Sequence, residues 1–392
     1  MKRDETHHSR PAGEKSRVLL RVSGVLPGPA LVATAGIHGN EPAGVEALRR
    51  VRRRLESEDI PLRGDLVGLS GNLEALAMGR RFVDRDLNRI WLPERVSAIR
   101  AGNLPGPPTA EDREQAGLLR AIDEVRAAAR GEVFFLDLHT SSADGCPFLT
   151  CGDTLRNRRF ALRFPVPIIL GIEEQLDGSL LEYMSEIGCI TLGVEAGKHD
   201  KESSVDHHES VLWIALVAAG LVSPRNLPHL SRHRQRLRSA TRNVYHVTEV
   251  RYRQPVLDGR SFRMEPGFEN FQPVRRGQLL AMENGREIRA KETGLVLLPL
   301  YQGQGEDGFF LGRGVSRFWL RVSAVMRLAR LYRLMPLLPG VKQHPTKPAT
   351  LRVNTAVARW FPLEVFHLLG YRKQRWKRNV LLVSRRRFDY VR

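Results

Sequence analysis

Residues 31–55 read LVATAGIHGNEPAGVEALRRVRRRL, and this stretch gives the strongest indication of the fold class. A five-residue run dominated by apolar side chains is followed by a turn rich in Gly and Pro, and then by apolar residues at helical spacing. This order predicts a β-strand, a tight turn and a helix, with Asn40 as N-cap and Pro42 among the first helical residues. In open α/β sheets, ligands bind where strands end and helices begin. The turn carries His38 and Glu41 at that position.

The alternation of short apolar runs with longer helical segments continues over residues 17–222. It predicts an α/β domain with a mixed, largely parallel sheet flanked by helices. Residues 223–243 are expected to form a linker. Residues 244–315, with short strands and Gly-containing turns, are expected to form a small all-β domain. Residues 1–16 contain no apolar signal segment and are expected to be a disordered lead.

The net charge of +19 is concentrated at the C-terminal end. Residues 316–392 hold 18 Lys or Arg and two acidic residues, whereas the rest of the chain holds 44 basic and 41 acidic residues. The spacing of Arg321, Arg327, Arg330 and Arg333 predicts a basic amphipathic helix in a mostly helical extension. Such a helix is typical of attachment to an anionic membrane surface, and the alternative is docking on the protein's own body. Nucleic acid is not an expected partner, because few aromatic residues accompany the basic ones.

The cysteines and the apolar runs give indications of the protein's cellular location. Cys146, Cys151 and Cys189 lack zinc-knuckle spacing, and the longest apolar run, residues 211–222, is about half of the ~20 residues that a membrane-spanning helix needs. The sequence therefore predicts a cytoplasmic protein with reduced thiols, peripheral at the membrane if its extension binds lipid.

Other residues with the chemistry of a metal site end further predicted strands. Asp137 and His139 close the run VFFLDLH, and Glu195 closes the run ITLGVE. Carboxyl ends of parallel strands meet at one sheet edge, so these side chains are expected near His38 and Glu41. A mononuclear zinc hydrolase needs three protein ligands and a base beside the water that it activates. Each residue alone also fits a structural role, such as a hydrogen-bonded histidine at a strand end, and it is the combination that indicates a metal site.

A charged loop, RRFVDRDLNR at residues 80–89, follows another predicted strand. An isolated stretch of this kind would be interpreted as a solvated, salt-bridged loop. At the same sheet edge, however, a planar guanidinium suits a substrate carboxylate or a developing oxyanion.

The segments HGNE, RRFVDRDLNR, DLH and GVEAG, in this order, resemble the succinylglutamate desuccinylase and aspartoacylase family, a branch of the zinc carboxypeptidase-like hydrolases. The resemblance covers roughly residues 17–314 and implies that the β domain narrows the entrance of the active site. It implies one Zn²⁺ per chain, bound by His38, Glu41 and His139.

The same resemblance implies the remaining roles. Glu195 would be the general base and acid, and Arg81 would polarise the scissile carbonyl group. The residues expected to bind substrate are Asn88, Arg89 and Tyr301. Asp137 and Asp86 are expected to support the metal ligands.

The implied reaction is hydrolysis of the amide of an N-acylated amino acid or a related small amide. Characterised members hold an acidic side group with an arginine about ten residues before the catalytic glutamate, but Ser185 stands at that place and residues 164–197 contain no Lys or Arg. An N-acylaspartate or N-succinylglutamate substrate is therefore not expected. The alternatives are a carboxypeptidase or ester hydrolase with the same metal site, and a catalytically inactive binding protein recruited by its basic tail.

A second histidine group, His199, His207 and His208, allows two interpretations. It would suit a second metal site, but a solvated loop that leads into a helix capped near Ser203 or Ser204 is the favoured interpretation.

Overall fold

The 392-residue chain is described by a computed structural model over residues 16–241, 244–256, 261–354, 357, 363–377 and 380–390. The disordered lead expected over residues 1–16 lies outside the described residues, apart from Ser16.

The strands are β1 (Val18–Ser23), β2 (Leu26–Ala35), β3 (Arg63–Ser70), β4 (Val133–Ser141), β5 (Phe148–Cys151), β6 (Ile168–Leu170), β7 (Ile190–Lys198), β8 (Val247–Pro255), β9 (Phe262–Met264), β10 (Pro273–Val274), β11 (Leu279–Glu283), β12 (Arg286–Arg289), β13 (Gly294–Leu297), β14 (Asp307–Gly314), β15 (Val341–Gln343), β16 (Thr350–Asn354), β17 (Tyr371–Lys377) and β18 (Val380–Arg385). The α-helices are α1 (Ala43–Ser57), α2 (Leu73–Met78), α3 (Pro93–Arg100), α4 (Ala110–Ala128), α5 (Leu155–Ala161), α6 (Leu180–Glu186), α7 (Glu202–Ala218), α8 (Leu230–Ala240), α9 (Arg317–Leu328) and α10 (Leu363–Leu368). Short 3₁₀ helices cover Leu87–Arg89, Pro224–Asn226 and Leu331–Leu337.

One large mixed sheet organises the molecule, with the strand order β1-β3-β2-β4-β7-β5-β6-β8-β14-β13-β10. The neighbours β3, β2, β4 and β7 are parallel, so their carboxyl ends lie at one edge. Helices cover both faces of this part of the sheet, which accounts for the nearly continuous apolar runs of β2 and β4. The expected α/β fold class is confirmed.

Helix α1 shows how the local pattern produces this packing. Val45, Leu48 and Val51 recur on one face and are buried, whereas the arginines between them point outward. The helix begins at Ala43 with Pro42 at the N-cap, so the expected Asn40 cap is wrong. The Asn40 amide instead donates a hydrogen bond to Oε1 of Gln302, 2.9 Å away.

The segment expected to be a linker contains helix α8, which packs against α7. After it, β8 pairs in parallel with β6, so strands that follow residue 244 extend the large sheet. A separate three-stranded sheet, β12-β11-β9, stands beside them.

The C-terminal extension is not mostly helical, because it contains the antiparallel sheet β15-β16-β18-β17 as well as α9 and α10. Alternating buried and exposed residues in β16 and β18 are typical of strands with one face on a core. The apolar side chains pack into a core of the extension's own: Met335, Val341, Leu351, Val353, Phe366, Leu369, Tyr371, Leu381 and Val383.

The four arginines expected on one helix face do not share one. Helix α9 ends at Leu328, and Arg330 adopts a left-handed backbone (φ 57°) that starts a new direction. Arg327 is 0% exposed, whereas Arg321, Arg330 and Arg333 are exposed. Arg327 therefore belongs to the interface with the body.

The extension covers four buried carboxylates of the body, here called the acidic cluster: Asp153, Glu173, Glu174 and Glu249. Three arginines of the extension pair with them: Arg327, Arg372 and Arg386. Arg327 lies 2.9 Å from Asp153, and Arg372 lies 3.0 Å from Glu249. Burial raises the pKa of Asp153, but the neighbouring arginines outweigh burial and hold it well below its ordinary value. The extension is thus fastened to the body by buried ion pairs.

Candidate active site

The turn after β2 places His38 and Glu41 at the carboxyl edge of the sheet. Gly36 has a positive φ of 67°, a conformation that favours glycine. A Cβ on Gly39 would lie 2.1 Å from the backbone of Ala75, so the turn passes too close to α2 for any side chain there. Both His38 and Glu41 are only 3% exposed.

His38, Glu41 and His139 form a compact set of ligand-type atoms, all within 4.8 Å of one another. Glu41 lies between the rings, with Oε1 2.8 Å from Nδ1 of His38 and Oε2 3.0 Å from Nδ1 of His139. The backbone N–H of Thr140 also donates to Oε2 of Glu41, 3.0 Å away. The structure therefore brings together the three residues expected to bind zinc.

The outer nitrogen of each ring faces a carboxylate. Nε2 of His38 lies 3.1 Å from Oδ1 of Asp86, and Nε2 of His139 lies 2.9 Å from Oδ2 of Asp137. An ionised carboxylate only accepts hydrogen bonds, so Asp86 and Asp137 hold a proton on each Nε2, whereas each Nδ1 faces Glu41 and would lose any proton that it shares with that carboxylate when a metal binds there. Oδ1 of Asp137 is fixed by the Thr34 hydroxyl, which donates to it at 2.7 Å.

The electrostatics of this set favour a cation at its centre. Burial raises the pKa of Glu41, but His38 and His139 outweigh burial and hold it well below its ordinary value. Burial lowers the pKa of His139, but Asp137 and Glu41 outweigh it and raise the pKa well above its ordinary value. Because ligands release such protons when metal binds, the donor set fits a divalent cation such as Zn²⁺.

Glu195 lies beside this set on the neighbouring strand. In the parallel pairing of β4 with β7, Glu195 is opposite His139. Its Oε2 is shielded from solvent and has no hydrogen-bond partner among the described residues. Burial raises the pKa of Glu195 to about 8, with His139 opposing the shift and Glu41 adding to it. A carboxyl group of this kind is suited to accept and return a proton.

The loop at residues 80–89 also reaches the site. Arg81 lies 3.1 Å from Oδ2 of Asp86 and 3.5 Å from Oε1 of Glu41, and its Nε–H has no acceptor among the described residues. Asn88 and Arg89 are carried by the 3₁₀ turn that Asp86 caps.

Asn88 and Arg89 line the same cavity, but each already has protein partners. Oδ1 of Asn88 accepts the backbone N–H of Leu180 at 2.8 Å, and its amide nitrogen lies 3.4 Å from Nε2 of His139. Arg89 donates to Oδ2 of Asp307 at 2.8 Å, so its charge is partly neutralised before substrate binds.

Tyr301, expected to contact the substrate, lies outside the residues that line the cavity. Its hydroxyl donates to the backbone oxygen of Glu265 and accepts the backbone N–H of Phe268, both at 2.8 Å. The neighbouring Gln302 does line the cavity and lies 3.2 Å from His199. No local pattern pointed to Gln302, because its position depends on how the loop between β13 and β14 folds over the site.

The second histidine group splits. His207 and His208 lie inside α7, which begins at Glu202, and only His199 lies in a loop, 2.7 Å from the Thr140 hydroxyl. The helix thus begins one or two residues before the expected cap at Ser203 or Ser204, and these three residues do not gather as metal ligands in the described part of the chain.

The residues of the site surround a cavity of about 140 Å³, which limits the substrate to a small molecule. One end of the cavity is lined by His38, Glu41, His139 and Glu195. Loop residues 298–307 form one wall, and residues 172–181 form another.

Residues 27–211 match the family model of the succinylglutamate desuccinylase/aspartoacylase catalytic domain. Similar curated proteins include the succinylglutamate desuccinylase of Pseudomonas paraeruginosa, which is 44% identical over 64 residues, 16% of this chain and 19% of the relative. The succinylglutamate desuccinylase of Burkholderia lata is 33% identical over 112 residues, 27% of this chain and 32% of the relative. The chain thus matches less than a third of the length of each of these relatives.

Two solved structures have a similar fold. One is a succinylglutamate desuccinylase/aspartoacylase from Rhodobacter sphaeroides, with a TM-score of 0.55 and 18% identity over 75% of this chain and 88% of that chain. Another is the product-bound ectoine utilization protein EutE of Ruegeria pomeroyi, with a TM-score of 0.53 and 19% identity over 75% of this chain and 87% of that chain. At these identities the likeness concerns the fold.

Proposed function

Since the chain belongs to the succinylglutamate desuccinylase/aspartoacylase family through residues 27–211, we propose that it is a zinc-dependent hydrolase that cleaves the amide of an N-acylated amino acid or a related small amide. The observation that carries this proposal is the grouping of His38, Glu41 and His139, with Glu195 opposite His139, around one small cavity.

His38 and His139 would bind the metal through Nδ1, and Glu41 through its carboxylate, since these are the atoms that converge. When bound, Zn²⁺ acts as a Lewis acid that lowers the pKa of a water molecule and polarises a carbonyl group. Asp86 and Asp137 would hold the rings in the ligating orientation.

The remaining residues would handle protons, charge and orientation. Glu195 would accept the proton of the attacking water and return it to the leaving amine nitrogen, so that one acid and one amine are released. The unpartnered Nε–H of Arg81 would donate to the carbonyl oxygen as negative charge develops there. Asn88 and Arg89 would orient the carboxylate of the amino-acid part, although Arg89 must share its charge with Asp307.

The test is a mass-spectrometric screen of the zinc-loaded protein against N-acyl amino acids, short peptides and carboxylic esters. We expect the N-acyl amino acids to be cleaved and the activity to disappear with a chelator and return with zinc. Preferential cleavage of C-terminal peptide bonds or esters would favour the rival hydrolase assignments. Full zinc occupancy with no turnover of any class would favour an inactive binding protein.

We also propose that the surface of residues 317–337 attaches the enzyme to an anionic membrane. It presents exposed large apolar side chains: Phe318, Trp319, Val325, Leu328, Leu331, Leu334 and Leu337. Arg321, Arg330 and Arg333 are exposed among them. Apolar side chains that insert below lipid headgroups and cations that pair with them are the two terms of interfacial binding. In the described part of the chain, no helix is long and apolar enough to cross a bilayer.

A cavity beside α9 adds charge complementarity to this surface. It has a volume of about 1010 Å³ and meets the first residues of β4 and β7, the end of the sheet opposite the catalytic cavity. Its wall contains arginines of the body and of α9, against one acidic residue: Arg156, Arg158, Arg159, Arg163, Arg317, Arg321 and Glu132. This sign of charge suits lipid phosphate, and the catalytic cavity would remain open to solvent on the far side.

Co-sedimentation with vesicles tests the attachment. The full chain should bind phosphatidylglycerol vesicles, lose binding at high salt and ignore phosphatidylcholine vesicles. The double change Trp319→Ser and Leu328→Ser should weaken binding several-fold, while Met78→Ser, an exposed apolar residue on the body, should not. Equal binding to both vesicle types, or equal effects of the two variants, would refute the proposal.

A further inference from the structure

The wall of the catalytic cavity formed by residues 172–181 has one charged group. Ile172, Leu176, Ser179 and Leu181 are its other cavity residues, and Glu173 is the only ionisable one. Glu173 is 2% exposed. This wall is therefore apolar with a single carboxyl group in it.

One oxygen of that carboxyl group is held from behind. Nη2 of Arg386 donates to Oε2 of Glu173 at 3.2 Å, while Nε of the same arginine donates to Oε1 of Glu174 at 3.3 Å. Arg386 comes from the C-terminal extension and does not line the cavity. The guanidinium of Arg386 thus binds two carboxylates. It orients Glu173, but of the two residues only Glu173 lines the cavity.

The other oxygen, Oε1 of Glu173, is buried and has no hydrogen-bond partner among the described residues. A buried acceptor without a donor is unfavourable by about 1–3 kcal/mol, so such atoms call for an explanation. Burial raises the pKa of Glu173 to about 8, with Arg386 opposing and Glu174 adding to the shift. A cation placed at Oε1 would supply the missing donor and favour the ionised form.

A substrate with an anionic side group would find no free cationic partner among the described residues of this cavity. The guanidinium groups that line the cavity, Arg81 and Arg89, already face Asp86 and Asp307. No Lys or Arg occurs in residues 164–197, so this wall offers a second carboxylate no cationic partner. Ile172, Leu181 and Phe310 offer contacts to methylene groups.

We propose that Glu173 is the specificity-determining residue and that the substrate's side group ends in an ammonium group, so that the substrate is an N-acylated diamino acid. This inference rests on the proposed hydrolase function and adds the substrate class. The methylene chain would lie along the apolar wall, with its cationic tip at Oε1 of Glu173.

The experiment compares kcat/KM of the zinc-loaded full chain on three Nα-acetyl amino acids of similar length: ornithine, norvaline and glutamate. We expect ornithine to be preferred over norvaline by roughly 10- to 100-fold, the scale of one hydrogen bond to a charged group. Glutamate should be the poorest of the three.

The variant Glu173→Gln should abolish the preference, so that kcat/KM for ornithine falls to the level of that for norvaline in the same variant. Glu174→Gln is the matched control, because Glu174 contacts the same arginine but does not line the cavity, and it should keep the preference. Thermal unfolding of both variants separates loss of fold from loss of specificity.

The outcomes separate this inference from the proposed function. Turnover of norvaline or glutamate equal to that of ornithine in the wild-type chain would overturn the role of Glu173 and leave the hydrolase intact. A loss of preference in Glu174→Gln as large as in Glu173→Gln would also overturn it. Absence of turnover on every acylated substrate would count against the hydrolase function itself.

Discussion

Glu195 and His139 are neighbours on adjacent parallel strands, and this register places the proposed proton-transfer group next to a proposed metal ligand. The carboxyl group needs no loop movement to reach the site. In the proposed mechanism, metal binding and proton transfer belong to different side chains, so single substitutions can separate the two functions.

The variant Glu195→Gln should keep its zinc and lose about 10²-fold or more in kcat, because the amide cannot accept a proton from water. Steady-state kinetics on any cleaved substrate, with zinc content measured on the same sample, checks this prediction. Turnover equal to wild type would remove Glu195 from the mechanism.

The elements of the C-terminal extension act on the body through α9, β17 and the segment after β18, which deliver Arg327, Arg372 and Arg386 to the acidic cluster. Local patterns in the sequence could not reveal these pairs. Arg327 and Asp153 are 174 positions apart, and an arginine at helical spacing has the same pattern whether its face meets water or a buried carboxylate.

Replacing Arg327 by Met should destabilise the protein by about 3–5 kcal/mol, because Asp153 and Asp389 would lose a buried partner. Chemical denaturation measures the difference. Arg321→Ala on the same helix is the control and should stay within about 0.5 kcal/mol of wild type, since Arg321 is exposed. Equal effects of the two changes would show that the extension is not fastened to the body in this way.

For the whole molecule, the sequence predicts the features that depend on local patterns and misses those that depend on contacts between distant residues. Strand-end positions of His38, Glu41, His139 and Glu195 follow from apolar runs of β strands, so the grouping was predictable. The contacts of Gln302 and of the extension depend on loops and elements far apart in the chain, and so does the position of Tyr301, whose hydroxyl bonds to the backbone of Glu265.

Two buried histidines make part of the stability of the fold sensitive to acid. Burial lowers the pKa of His208 to about 3 and that of His233 to about 4, against about 6.5 in an unfolded chain. Between these values the unfolded chain binds more protons at these two sites, so they lower the free energy of unfolding as pH drops from about 6.5 toward 4, whereas Glu173 and Glu195, whose pKa burial raises to about 8, act in the opposite direction. Each such histidine contributes a slope of about 1.4 kcal/mol per pH unit.

Denaturation at several pH values between 7 and 4 checks this slope, with His233→Gln as the comparison. Relative to the wild type, the variant should lose the contribution of about one proton to the slope. The same slope in both proteins would contradict the assignment.

The zinc content of the protein is the most direct test of the proposal that His38, Glu41 and His139 bind one zinc per chain. After chelation, reloading with zinc and exhaustive dialysis, mass spectrometry of the metal should find one zinc per wild-type chain. In His38→Ala and His139→Ala it should find most of the metal gone, because each change removes one of three converging ligands. One zinc per chain in both variants, or none in the wild type, would contradict the account.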